Sequence, residues 1–170
     1  MILPLHSESV SQVFIALGSN LENPLSQVRR GMMLLAGLEH SRLVKRSSLY
    51  RTAPVGHIDQ PDFINAVVQM ETNLTPHHLL DALLEIERAC GRVRTFPNAP
   101  RILDLDILLF ENLQHNDTKL VLPHPRMHER AFVLQPLLEI VADCVIPGRG
   151  SAVACLAACA EQPLECIASS

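Results

Sequence analysis

Asp104 and Asp106 stand two residues apart in the run Pro100-Arg101-Ile102-Leu103-Asp104-Leu105-Asp106-Ile107-Leu108-Leu109-Phe110. The run is rich in Ile and Leu and opened by a proline, which predicts a largely buried β-strand. Side chains alternate between the faces of a strand, so the two carboxylates share one face, separated by about 6.5–7 Å of backbone rise. That spacing suits hard divalent cations held through oxygen, because unpaired acids at a half-covered crevice are costly until a cation offsets them. Leu108 and Phe110 are expected to continue the same face and to cover it farther along. A bare Asp-x-Asp also occurs on the solvated face of an edge strand, and on spacing alone both readings stand.

The surrounding charges weigh toward a ligand. Arg92, Arg94 and Arg101 come just before the acids, and His124, Arg126, His128 and Arg130 follow after the next turn. Cations on both sides of an acid pair, in a chain of net charge −4, point to a ligand more anionic than the carboxylates: a metal polyphosphate. Phosphoryl or pyrophosphoryl transfer is mostly positioning and charge neutralisation. Asp104 and Asp106 can hold Mg²⁺ for that purpose, while Arg92, Arg94, Arg101 and Arg130 take phosphate oxygens. Any one of these arginines alone is compatible with a solvated surface charge, so the information lies in their density around one acid pair. His124, fixed between Pro123 and Pro125, is either a phosphate or nucleotide ligand or a turn-stabilising residue, and His128 reads as surface. The chain has no G-x-x-x-x-G-K-[ST], no G-x-G-x-x-G and no H-E-x-x-H, which excludes those phosphate cradles and that metalloprotease pattern at the level of motif.

The elements that must position these groups follow from the apolar pattern. Val13 to Leu17 reads as a short strand, with Gly18-Ser19-Asn20 as a turn at its carboxyl end. Asn23-Pro24 supplies an N-cap and a first-turn proline for a helix carrying Leu25, Val28, Met32 and Leu35 on one face and ending at Gly37. Residues 44–51 read as a second strand, and 52–62 as an ordered binding loop. A third strand, Phe63 to Glu71, sets Phe63, Asn65, Val67 and Gln69 on one face and Ile64, Ala66, Val68 and Met70 on the other. The Asn65 amide requires partners, supplied either by a cross-strand bond or by the polar edge of a planar ligand. Thr75-Pro76 opens a second helix with Leu79, Leu80, Leu83, Leu84 and Ile86 as its stripe and Gly91 at C′. Residues 119–122 are expected as a return strand. A third helix is expected from about Met127 to Ile140, bent near Pro136, and the rest, through an Ala/Cys helix, reads as structural.

With 170 residues and 48% apolar content, the chain is expected to be one domain, with a loose N-terminal extension over 1–11 and a structural C-terminal extension over 148–170. Net acidity and the lack of a basic tail argue against nucleic acid as a partner. The opening residues lack a positively charged start, and their apolar run is too short for a signal peptide or a membrane span, so a cytoplasmic location and no membrane partner are expected. Five cysteines, an odd number, point to free thiols. Cys155 and Cys159, one helical turn apart without a His nearby, read as small buried residues rather than metal ligands.

Several of these segments together resemble the 6-hydroxymethyl-7,8-dihydropterin pyrophosphokinase family of folate biosynthesis. They are Phe14 to Leu21, Tyr50-Arg51-Thr52 with Gln60 to Ala66, Gly91-Arg92-Val93-Arg94, Pro100-Arg101 with Leu103 to Phe110, and Pro123-His124 with Arg130 and Phe132. The match runs in order over about residues 13–147, and P-R-x-L-D-L-D-I is its most specific part. The resemblance implies a ferredoxin-like α+β fold, with a mainly antiparallel sheet and helices packed on it. It implies transfer of pyrophosphate from ATP to the pterin's hydroxymethyl group, with release of AMP. By position it implies that Asp104 and Asp106 ligate two Mg²⁺ ions, and that Arg92, Arg101, His124 and Arg130 contact phosphates, Arg92 and Arg101 with a catalytic part. Glu87, Arg94 and Ile107 would lie near the nucleotide. The pterin would stack between Phe63 and Phe132, with Asn65 and the backbone of Thr52, Ala53, Pro54 and Val55 reading its polar edge.

Two departures from the family are visible. Its first stacking aromatic is often Tyr, so Phe63 keeps the stack and loses a hydroxyl. Its loop between Arg94 and Pro100 commonly carries an Arg-Trp pair that closes over the site, whereas Thr95-Phe96-Pro97-Asn98-Ala99 is shorter and has neither, Phe96 being the nearest ring. The rival readings are a non-catalytic nucleotide-binding or interaction module on the same scaffold, and a purely structural domain. Contact with other enzymes of the folate pathway is left open by the sequence.

Overall fold

β1, residues His6–Ser19, runs through the middle of the sheet, paired antiparallel with β4 (Phe63–Leu74) on one side and β5 (Asp104–Phe110) on the other. The computed structural model of the chain describes residues 6–54, 59–91 and 102–169. On the far side of β4 lie β2 (Ser41–Arg46) and β3 (Leu49–Thr52), one after the other, and β10 (Glu165–Ala168) adds to β3. Among the described residues these six strands form one antiparallel sheet in the order β10-β3-β4-β1-β5, with β2 also paired to β4. With α1 (Pro24–Ala36) after β1 and α2 (Pro76–Ala89) between β4 and β5, this is the expected ferredoxin-like α+β arrangement. Two short hairpins follow: β6 (His115–Asn116) with β7 (Val121–Leu122), and β8 (Val145–Ile146) with β9 (Gly150–Ser151). α3 (Ala131–Ile140) and α4 (Ala152–Ala157) complete the elements. Among the described residues no helix is long and apolar enough to cross a membrane.

Alternation along the strands splits the core in two. Val13, Ile15 and Leu17 of β1, with Ile64, Ala66, Val68 and Met70 of β4, pack against Val28, Met32 and Leu35 of α1 and Leu79 and Leu83 of α2. The opposite face, with Phe14 and Val67, packs against Met127 and against Val133, Leu134, Leu137 and Ile140 of α3. Each such side chain contributes about 1.5–3 kcal/mol by leaving water, so both faces of the sheet are driven to be covered. Thr75 caps α2 as its sequence foretells, its hydroxyl accepting the His78 N–H at 3.4 Å, and Gly91 follows with φ +84°.

Several expectations are corrected. Phe110 does not share the aspartate face: the β1–β5 register shifts between Phe14 and Ile15, and Phe110 packs with Leu105 and Ile107 while Leu108 stays on the acid side. Asn23 precedes α1 in the left-handed region, φ 62°, and makes no side-chain cap. The single strand expected over 44–51 is two, parted at Ser47, whose hydroxyl accepts the Val67 N–H at 2.9 Å. Residues 6–11, expected in a loose extension, belong to β1. The return strand is only Val121–Leu122 and pairs with β6 rather than with the main sheet. The third helix is broken at Arg130, which is extended at φ −121° and ψ 107°, between a 3₁₀ turn over Met127–Glu129 and α3. Pro136 sits inside α3. All five cysteines are free thiols.

Candidate active site

β5 brings the acid pair to a cavity of about 600 Å³ on the α3 side of the sheet. Asp104 and Asp106 are half-buried and both line it, while Leu105 between them is buried in the opposite core. Across the β1–β5 ladder they face Gly18 and Ala16, so no bulky neighbour covers the carboxylates from that side. Glu87, buried near the end of α2, accepts the Leu105 N–H at 3.0 Å along the side of β5 away from β1. Two half-exposed carboxylates on one strand face, an all-oxygen donor set open to a cavity, fit a hard divalent ion.

The second wall follows β7. The His124 N–H bonds to the Leu108 carbonyl at 2.9 Å, which ties the histidine to the acid strand. Its Nδ1 accepts the Arg126 N–H at 3.1 Å, leaving the proton of the neutral ring on Nε2. Burial, then the Arg130 charge, push the imidazole down to about 4, with Asp104 opposing them and Arg126 adding the smallest push downward. At neutral pH His124 is therefore an uncharged donor. Arg130 lies with its guanidinium 5.6 Å from the centroid of the Phe132 ring, within cation–π range, and both residues line the cavity.

The third wall belongs to β3 and β4. Asn65 is buried, lies in register with Gly18 on one side and Tyr50 on the other, and donates from Nδ2 to the Thr52 hydroxyl at 2.8 Å. A Cβ on Gly18 would come within 3.2 Å of the Asn65 Oδ1, so glycine there leaves room for the amide. Phe63 lines the cavity with Thr52 and Ala53. Asn20, fully buried, reaches back to the loop before Phe63, bonding Gln60 Oε1 at 3.0 Å and the Pro61 carbonyl at 3.3 Å.

Residues 14–142 match the family model for 7,8-dihydro-6-hydroxymethylpterin-pyrophosphokinase. The chain belongs to this family. The 2-amino-4-hydroxy-6-hydroxymethyldihydropteridine pyrophosphokinase of Haemophilus influenzae is 46% identical over 134 residues, which cover 79% of this chain and 84% of that one. The enzyme of the same name from Pseudomonas aeruginosa is 43% identical over 156 residues, 92% of this chain and 96% of its own. In fold, the chain resembles the crystal structure of Plasmodium falciparum HPPK-DHPS with pteroate, at a TM-score of 0.70 and 14% identity. That likeness covers 88% of this chain and 42% of the longer Plasmodium chain.

Of the residues expected at the site of this pyrophosphokinase, the fold gathers Asp104, Asp106, His124, Arg130, Phe132, Phe63, Asn65, Thr52 and Ala53 around one cavity. Pro54 is half-buried just beyond Ala53 and is not among the lining residues. Glu87 and Ile107 are buried with α2 and the α1-side core, respectively. Arg92, Arg94, Arg101 and Val55, with Phe96 and the shortened loop, lie outside the described residues. Sequence reasoning missed Glu161, Gln162 and Pro163, in a segment read as merely structural, which line the cavity as well. Gln162 accepts the Ala131 N–H at 2.9 Å and donates to the Glu129 carbonyl at 2.7 Å, bracketing Arg130. No local signal announces a cap supplied from 31 residues downstream.

Proposed function

We propose that this pyrophosphokinase transfers the terminal pyrophosphoryl group of ATP to the hydroxymethyl oxygen of 6-hydroxymethyl-7,8-dihydropterin. The pterin oxygen bonds to the β-phosphorus as its hydroxyl proton is released to solvent, the bridge from that phosphorus to the α-phosphate opens, and AMP leaves with the bridging oxygen. The single observation that carries the reading is the shared cavity of the Asp104–Asp106 pair and the Phe63, Asn65 and Phe132 set. Asp104 and Asp106 would hold two Mg²⁺ ions, which when bound supply charge neutralisation to the triphosphate.

The chain's own groups do the rest. Arg130 meets phosphate charge while its guanidinium remains against Phe132. His124 offers Nε2–H as a neutral donor, so it orients a phosphate oxygen without adding a cation that would need its own counter-charge. Arg92 and Arg101 are assigned to the phosphates by sequence position, and Glu87, Arg94 and Ile107 to the nucleotide's surroundings. Phe63 and Phe132 hold the flat ring by their faces, and Asn65, pinned by Thr52, presents its Oδ1 toward the ring edge together with the backbone of residues 52–55. A cytoplasmic location and contact with other folate-pathway enzymes complete the proposal; nucleic acid and membrane have no part in it.

The deciding assay follows AMP and pterin diphosphate under Mg²⁺. ADP as product, or tight Mg²⁺-ATP binding without turnover, would favour the non-catalytic binding module instead. Asp104→Asn and Asp106→Asn are each expected to lower kcat/KM at least about a hundredfold, roughly 2.7 kcal/mol of lost transition-state stabilisation, with an unchanged circular dichroism spectrum. Near-normal rates in either variant would remove the metal assignment.

A further inference from the structure

At the opposite end of α2 from Glu87, about 15 Å away along the helix, is a second group of ligating side chains. His77 in the first turn of α2 and His115 in β6 both direct Nε2 at the same oxygen, Oδ2 of Asp117, at 2.6 and 2.7 Å. All three ligand atoms lie within 4.8 Å of one another, and the two rings meet edge to face with centroids 5.2 Å apart. The other carboxylate oxygen is engaged separately: Oδ1 accepts the N–H groups of Lys119 and Leu120, each at 2.7 Å. The carboxylate is thus held in place by its own turn through Oδ1 while Oδ2 points between the imidazoles.

We propose that His77, His115 and Asp117 bind a divalent transition-metal ion of the zinc class, at a site distinct from the Asp104–Asp106 pair. Two neutral imidazoles and one carboxylate are a donor set for zinc, cobalt or nickel, with remaining positions open to water, whereas magnesium prefers oxygen alone. Metal–ligand distances of about 2.0–2.1 Å in a tetrahedral site place the ligand atoms about 3.3 Å apart. The Nε2–Oδ2 separations must therefore open by about 0.6–0.7 Å, a small rotation for side chains that are 34–42% exposed. The ion would join the start of α2 to the β6–β7 hairpin, elements that meet here through the His77–Asp117 and His77–His115 contacts.

The test uses the full chain without a polyhistidine tag, stripped with EDTA and titrated with Zn²⁺ by calorimetry, with melting followed in parallel. One ion per chain and a rise in Tm with Zn²⁺, not reproduced by millimolar Mg²⁺, are expected. The double variant His77→Ala/His115→Ala should weaken binding at least tenfold. Asp117→Asn should do likewise, since it keeps the amide oxygen that accepts the turn N–H groups while removing the anionic ligand. Turnover under Mg²⁺ should be unaffected in both, which separates this site from the proposed reaction. Co²⁺ serves as the spectroscopic probe, because Cys166 is an exposed thiol that could compete. A thiolate-to-cobalt charge-transfer band, zinc affinity unchanged in the double variant, or no zinc binding at all would overturn the proposal.

Discussion

The carboxylate of Glu87 accepts the N–H of Leu105 at 3.0 Å, and Leu105 is the residue between the two aspartates. Among the described residues β5 has only β1 as a partner in the main sheet, so half of its peptide groups point away from β1, and Glu87 fills that edge where the acid pair is presented. Glu87→Ala should therefore cost about 1–3 kcal/mol, the usual penalty for a buried N–H left unpaired. It should also lower kcat/KM by loosening the pitch of Asp104 and Asp106. Glu87→Gln, which retains an oxygen acceptor, should recover most of the stability. Urea midpoints of the two variants decide the matter, and equal midpoints for Glu87→Ala and the parent protein would remove the positioning role.

Gly18 makes a different kind of contribution. Its missing Cβ would sit 3.2 Å from the Asn65 Oδ1, so Gly18→Ala should displace the amide by a few tenths of an ångström while the strand itself stays paired. The expected result is a several-fold higher KM for the pterin with KM for ATP nearly unchanged. A shift of the ATP constant alone would place Asn65 elsewhere in the mechanism.

The depressed basicity of His124 links stability to pH. Its folded value of about 4 lies below the ordinary 6.5, so between these limits the unfolded chain binds a proton that the folded chain refuses. Stability should be flat above pH 6.5 with respect to this group and fall as pH drops through the window toward 4, by on the order of 3 kcal/mol over its full width. Denaturation at pH 7 and pH 5, in protein free of metal and nucleotide, should show this slope, and His124→Gln should reduce it. An NMR titration of the ring near 6.5 would refute the argument.

Glu139 on α3 fastens the helix to the sheet. It accepts the Tyr50 hydroxyl at 2.6 Å, the Ser48 N–H at 2.9 and 3.0 Å and the Ser48 hydroxyl at 2.8 Å. Burial, with Glu139 next in effect, pushes the Tyr50 phenol well above its usual range, so it remains a donor at any working pH. Glu139→Ala should cost about 1–3 kcal/mol and Tyr50→Phe about 1 kcal/mol. The double variant should fall short of their sum, and strict additivity in a double-mutant cycle would show that the two residues do not interact.

Local pattern was enough where one element determines the outcome. The spacing of Leu79 and Leu83 foretold the buried face of α2, and the two-residue period of β5 put Asp104 and Asp106 together. It failed where a distant segment intervenes. Phe110 changes face because of a register shift at Phe14 and Ile15 on the neighbouring strand, and the 44–51 strand is parted by a bond between Ser47 and Val67. The helix expected from Met127 is interrupted at Arg130, where Gln162 takes the Ala131 N–H, and a proline at 136 drew attention to the wrong place. Gln162 and its neighbours at the cavity carry no periodicity or motif, so their part could be learned only from the folded chain.

β10 occupies the outer side of β3, pairing Glu165 with Arg51 and Cys166 with Tyr50. It works as a selvedge, the woven border that keeps a cloth from unravelling. A chain cut after Pro163 would present the β3 backbone as an adhesive seam to any passing strand, and clumping would then betray the loss before catalysis did.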